Sequence, residues 1–380
     1  MRRIYRPSSP VAALLGLIAA VALVTGCGNS NPTPPSSTGS AAASNATPTT
    51  PGPTPSPTPV PTRAVATVTL ISAIGESADG TPSMLAWHGV QDAASRLGVK
   101  AALVTPVSMA DLTAAVGKAA GDGTTIVVTV GPQAAQAVLD NAAAHTATQF
   151  FELDQTIPDG SPANVHGLAF DEAEAGYLAG FVAASVTTSG QVGLVGDTKT
   201  DLRTGNYAAG MKNGATYANP AVGVTVAYAN RTNDPQAGHA ATASLVAGKA
   251  DVIVATSDLT GAGAMREACA RKAGIVALET DATLLLPDVA PCVVAGVLKR
   301  YDVAAREAIL RYSGNVALPA VIVFDVAAGG IGVSDFHKPA PAGVADRLAA
   351  LLAAMKKGPP RPTPSPVPAA TDTIVPSAPA

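Results

Sequence analysis

From residue 65 to residue 281, short continuous apolar runs alternate with longer amphipathic ones. VATVTLISAI, VKAALVTPV, TTIVVTVG and TQFFELD read as strands. Between them MLAWHGVQDAASRLG, MADLTAAVGKAAGDG and PQAAQAVLDNAAAHT read as helices. After a break the pattern restarts. EAGYLAGFVAASVTTSG, TGNYAAGMKNGATYA, DPQAGHAATASLVAGK and GAGAMREACARKAG read as helices. They alternate with the strands QVGLVGD, VGVTVAYAN, ADVIVATS and IVALETD. The strand runs are unbroken rather than alternating, as in parallel sheets covered on both faces. Two βαβ sets predict two doubly wound α/β lobes.

One more helix closes the patterned region. In ADRLAALLAAMKKG, Leu348, Leu351, Leu352 and Met355 fall at i, i+3, i+4 and i+7, and Lys356 and Lys357 precede Gly358 and Pro359. The stripe predicts docking on the body; its polar face is too weakly basic for a membrane-lying helix.

The ends are different in kind. Arg2, Arg3 and Arg6 precede an apolar run from Val11 to Val24, which leads into Thr25, Gly26 and Cys27. That order is the build of a secretory signal, and a cysteine at the cleavage point marks a bacterial lipoprotein. The run is shorter than the ~20 residues a membrane span needs. Cys27 is the expected site of diacylation, with residues 1–26 removed as signal. Residues 27–64 and 359–380 are dense in Pro, Ser and Thr without apolar periodicity, and read as solvated tether and tail.

Of 380 residues, 47% are hydrophobic but only 4% aromatic, so Ala, Val and Leu must fill the cores. Cleavage before Cys27 leaves 354 residues, enough for two lobes with appendages. Charged residues are 13% and net charge is −3, with no basic stripe to suit nucleic acid. Cys269 and Cys292 remain beside Cys27, and both a disulfide and two buried thiols fit an exported protein. The five histidines lie scattered without metal spacing, and no cofactor motif is present. The glycines at Gly261 and Gly263 suit a tight strand-to-helix turn as well as a phosphate.

Several stretches together resemble the basic membrane protein (BMP) family of ABC-transporter substrate-binding lipoproteins. They are NVHGLAFDEAEAGYLAGFVAASVTTSGQVGLVGD, YAAGMKNGATYANPAVGVTVAYAN, NDPQAGHAATASLVAGKADVIVATSDLTGAGAMREA, LETD, VLKRYDVAAREAI and AAGGIGVSDF. The resemblance covers about residues 66 to 358 and is strongest from 164 to 336. It implies a type I periplasmic-binding-protein fold, with two Rossmann-like lobes, a hinge and an interlobe cleft. The solute-binding domain is then 65–358, with lobe 1 about 65–168 and lobe 2 about 170–295, later residues being shared. Crossing segments are expected near 168–171, 295–299 and 315–325.

The resemblance also implies a site. Family members bind purine nucleosides between two aromatic rings, with carboxylates and a lysine on the ribose. Here the matching positions keep Asp79, but the rings fall on Pro82 and Thr232 and a ribose carboxylate falls on Gln136. The second lobe offers Gly261, Glu279, Asp281 and Lys299, and Arg231 is an added cation able to bind a carboxylate or phosphate. Asp281 equally suits a turn or helix cap, and Lys299 equally suits a surface pair with Asp302. The expected role is non-catalytic capture of a small polar solute, with an ABC permease on a separate chain and the membrane, through the lipid, as partners. A sensor docking on a receptor is the alternative. A hydrolase is weaker, since the paired acids Glu279 and Asp281 lack a nucleophile or metal.

Overall fold

The structure is a computed structural model and describes residues 62–357 and 372–374, all within one compact unit, Thr58–Ala380. Cys27, the signal and nearly all of the Pro-rich segments lie outside the described residues. The chain begins β1 (Thr67–Ile71), α1 (Pro82–Leu97), β2 (Lys100–Val104), α2 (Met109–Gly121), β3 (Ile126–Val130), α3 (Ala135–Ala142), β4 (Gln149–Leu153) and β5 (Val165–Phe170). It continues through α4 (Glu172–Val186), β6 (Gln191–Gly196), α5 (Leu202–Ala218), β7 (Gly223–Tyr228), α6 (Pro235–Ala247), β8 (Val252–Ala255), α7 (Leu259–Ala270), β9 (Gly274–Glu279) and α8 (Ala282–Leu285). Last come β10 (Val293–Lys299), α9 (Tyr301–Ser313), β11 (Val321–Phe324), β12 (Ile331–Val333), α10 (Val344–Met355) and β13 (Asp372–Ile374).

Two sheets organise these elements. The first has the order β11-β5-β4-β3-β1-β2 and the second β12-β10-β9-β8-β6-β7-β13. Every pairing is parallel except the antiparallel β10–β12. The parallel strands are buried on both faces, which is why their sequences are continuously apolar. In the first lobe α1 and α9 pair on one face, where Leu70, Val128 and Phe151 point; Ile71, Val127 and Phe150 pack with α2 and α3 on the other. In the second lobe α4 and α5 cover one face and α6 and α7 the other. Helix α4 is buried nearly all round, and α10 rests on it through Leu348, Leu351 and Met355.

Helix pairs approach at glycines. A Cβ on Gly176 or Gly180 of α4 would collide with backbone carbonyls of Tyr207 and Met211, and one on Gly210 or Gly214 of α5 with those of Ala173 and Tyr177. The apparent motif residues of EAGYLAG and GMKNG are therefore packing positions, where any side chain would force the two helices apart.

The chain crosses between lobes three times: from β5 into α4 at Phe170–Glu172, from β10 into α9 at Lys299–Tyr301, and from β11 to β12 through 325–330. The last lies just beyond the expected 315–325. Elements after Asp281 are the least legible, because α8 is only four residues long and no helix separates β11 from β12. The Cys269 and Cys292 sulfurs are bridged, with Cα atoms 5.4 Å apart, joining the end of α7 to the turn before β10.

One polar pair sits inside the first sheet. Thr129 and Glu152 are register partners on β3 and β4, and each has a buried side-chain oxygen without a hydrogen-bond partner. Burial pushes the Glu152 carboxyl from its ordinary 4.5 up to about 7. Ionising it in the folded state is the costly event. The stability it permits is full below about pH 4.5 and declines as pH rises through 7. Glu152→Gln should therefore flatten the fall in unfolding free energy between pH 5 and pH 8, by roughly 1–3 kcal/mol. Denaturant titrations at the two pH values measure this, and parallel profiles for both proteins would refute it.

Candidate functional site

In open α/β sheets ligands bind outside the carboxyl ends of the strands. In this chain those ends carry a carboxylate again and again: Asp154 after β4, Asp171 after β5, Asp197 after β6, Asp258 after β8, Glu279 ending β9 and Asp281 just past it. Their local structures separate them by role. Asp171, Asp201, Asp234, Asp258 and Asp281 each cap the following helix, accepting from the backbone N–H of Glu174, Thr204, Ala237, Gly261 and Thr283. A cap of this kind is worth about 1 kcal/mol and uses the oxygen that a ligand would otherwise meet.

Asp154 and Glu279 do something else. Both have left-handed backbones, at φ 62° and 78°, and their side chains meet from opposite lobes at Lys299. The Lys299 side chain is fully sealed from solvent. Its Nζ donates to Asp154 Oδ1 at 2.8 Å and lies 3.5 Å from Oε1 of both Glu172 and Glu279. It also lies over the rings of Phe170 and Tyr207, 5.5 and 5.7 Å from their centroids. Tyr301 donates to Asp154 Oδ2 at 3.0 Å, Tyr207 to Glu279 Oε1 at 3.1 Å, and Arg203 Nη1 to the same oxygen at 3.2 Å.

The electrostatics follow from burial. Desolvation alone would lower the Lys299 ammonium, but Asp154 and Glu279 hold it above its usual value. Burial raises Glu172 by more than Lys299 pulls it back. Asp197, 3.9 Å from Arg203 Nη2, is raised to about 6 by burial and then by Asp258.

Of the ligand-binding residues expected from sequence, only Glu279 and Lys299 are brought together. Lys299 pairs with Asp154, not with the surface Asp302, which binds Arg300 instead. Asp281 caps α8 and lies 3.1 Å from His337 Nε2. Glu279 Oε1 is shared by Lys299, Arg203 and Tyr207, whereas Asp281 turns to Thr283 and His337, so the two acids do not act on one point. Gln136 is exposed on α3 and donates to Asp140. Arg231 is exposed, 3.8 Å from Asp234. Gly261 lies in the first turn of α7, where a Cβ would meet the Thr256 carbonyl. Asp79 is exposed in the loop before α1, and neighbouring Gly80 reaches Leu284 of α8. Among the described residues no three metal-ligating side chains are grouped.

Sequence reasoning passed over Asp154, Glu172, Asp197, Arg203 and Tyr301. Asp154 and Asp197 carried a usable signal, since FELD and VGD both end strands in aspartate. Arg203 carried none; only the packing of α5 brings it to Glu279.

Removing one partner of a buried ion pair strands the others. Lys299→Met should cost about 3–5 kcal/mol, because Asp154, Glu172 and Glu279 are left uncompensated. Pairing it with Asp154→Asn should recover part of that loss. Chemical denaturation of the single and double variants measures both, and a loss below about 1 kcal/mol for Lys299→Met would contradict the arrangement.

A family model described as Bmp, ABC transporter substrate-binding protein PnrA-like, matches residues 71–349. Basic membrane protein A of Borreliella burgdorferi is 28% identical over 132 residues, 34% of this chain and 39% of that protein. The aligned part thus spans about two fifths of that relative's length. Among solved structures, an ABC transporter solute-binding protein from Conexibacter woesei superposes with a TM-score of 0.61 at 20% identity, covering 78% of this chain and 99% of that one. A transcriptional activator of the comK gene from Bacillus halodurans gives 0.65 at 16%, covering 78% and 100%. At these identities the structures speak for the fold, two parallel-sheet lobes of the periplasmic-binding-protein kind. The family match covers both lobes and the crossings between them, and on it the chain belongs to the Bmp family of PnrA-like ABC transporter substrate-binding proteins.

Proposed function

We propose that this chain captures a small polar solute between its lobes and presents it to an ABC permease formed by other chains, without transforming it. The observation that carries this reading is the sealed cluster at Lys299, where Asp154 of one lobe and Glu279 of the other share one ammonium. Charged groups joined across two lobes make their relative position an all-or-none matter, since opening strands buried charges. A hinge at the three crossings is the motion such a design suits. Asp79 and Arg231, both exposed, supply further polar contacts at the rim, while Gly261, Gln136 and Asp281 shape it.

The ligand in this reading is nucleoside-like or related, but purine nucleosides themselves bind weakly. Pro82 opens α1 and Thr232 is exposed, so neither offers a ring. Trp87 packs on the core and Tyr207 is buried beneath Lys299. Stacking contributes about 1–3 kcal/mol per ring. Calorimetry with adenosine, guanosine and inosine should therefore give dissociation constants above micromolar; sub-micromolar binding would overturn this part. Mass spectrometry of small molecules released by denaturing natively purified protein tests the solute-binding reading itself.

The lipid anchor belongs to the same proposal. Cleavage before Cys27 and diacylation of its thiol would hold the lobes at the outer face of the cytoplasmic membrane on a Pro-rich tether. Cys27→Ala should be released to the medium or remain unprocessed. A variant that is still cleaved and still membrane-bound would remove the anchor assignment.

A further inference from the structure

We infer that Asp197 and Arg203 form a hydroxyl-recognition subsite, taking one hydroxyl of a neutral, polyhydroxylated ligand. This rests on the solute-binding reading and names the ligand's chemistry. It uses residues outside the set that the family resemblance implied.

The two groups are arranged as an unclosed pair. Arg203 Nη1 donates to Glu279, but Nη2 stands 3.9 Å from Asp197 Oδ2, too far for a hydrogen bond. A single oxygen about 2.8 Å from each would close that gap, accepting from the guanidinium and donating to the carboxylate. A hydroxyl does both from one atom. A carboxylate or a fully ionised phosphate cannot donate, and any such anion meets the charge of Asp197, with Asp258 and Asp201 close behind it. An ammonium cannot accept and meets Arg203.

The surroundings fit a small group. A cavity of about 10 Å³, about the room of one water, lies between Asp197, Arg203, Tyr207 and Thr256. Asp197 is 9% exposed, whereas the Arg203 side chain is 39% exposed, so the guanidinium bridges the sealed interior and the open rim. The neighbouring polar groups are already spent, and the Thr260 hydroxyl bonds to the Asp197 carboxylate without closing the gap to Arg203. Thr204 donates to Asp201, Thr256 to Asp258 and Tyr207 to Glu279. Burial and then the charge of Asp258 hold the Asp197 carboxyl up at about 6, against the opposing pull of Arg203 and the Thr260 hydroxyl. Lys299 has no comparable opening, being sealed against Asp154. Arg203 thus takes the outward role that the sequence assigned to the lysine.

The test compares ligands that differ in one group. Calorimetry on the folded protein would use D-ribose, ribose 5-phosphate and D-ribonate, together with any compound identified by release from native protein. The neutral polyol should bind at least tenfold more tightly than either anion. Asp197→Asn and Arg203→Lys should each weaken its binding roughly tenfold or more, with unfolding midpoints near wild type. Tighter binding of an anion, or unchanged polyol affinity in both folded variants, would overturn the subsite. If the only ligand that binds or is released lacks hydroxyls, the subsite falls while the solute-binding reading stands. If nothing binds and nothing is released, the solute-binding reading falls and takes the subsite with it.

Discussion

A single ammonium sits where the two lobes meet. Lys299 is sealed from water, and isolation there would be prohibitively costly without its partners. Those partners come from four places along the chain: Asp154 ends a strand of the first lobe, Glu172 starts the first crossing helix, Glu279 ends a strand of the second lobe, and Tyr301 secures Asp154 from the helix after the second crossing. The crossings, the strand order and the left-handed turns at Asp154 and Glu279 all serve to deliver these groups to one point. A buried charge cluster of this kind adds little net stability over an apolar core, but it tolerates few alternative arrangements.

The scaffold around the cluster is held by inexpensive means. Aromatic residues are scarce, so the sheets are lined by Val, Ile, Leu and Ala, and helices come close where glycines permit backbone contact. Five consecutive helices of the second half start on aspartate caps. Those caps place helix N-termini, with their unpaired N–H groups and positive end, at the carboxyl edge of the sheet. The acids that cap are held by backbone N–H groups, whereas Asp154 and Glu279 do not cap and meet at Lys299.

This division explains why family resemblance makes the fold legible but not the use of each acid. The resemblance transfers packing well, because GxxxG helix contacts and strand runs constrain whole elements. The family's ligand-contact pattern is kept only in part. Pro82, Thr232 and Gln136 stand where the family pattern has two rings and a carboxylate, and Lys299 is turned inward. Arg203 and Asp197 line a small cavity with Tyr207 and Thr256.

Much of the architecture was legible along the chain. Parallel strands covered on both faces must be continuously apolar, and their crossover helices must be amphipathic, so two βαβ sets announced two lobes. The terminal segments were legible for the opposite reason, having no apolar surface to bury. What the chain could not disclose was the use of each carboxylate. Asp154, Asp197, Asp258 and Asp281 all follow a strand and look alike locally, yet one bridges lobes, one is buried 3.9 Å from an arginine and two cap helices. Lys299 and Asp154 are 145 residues apart. Their meeting depends on which strand ends the sheet order and the crossings bring together, and that is settled only when the lobes pack.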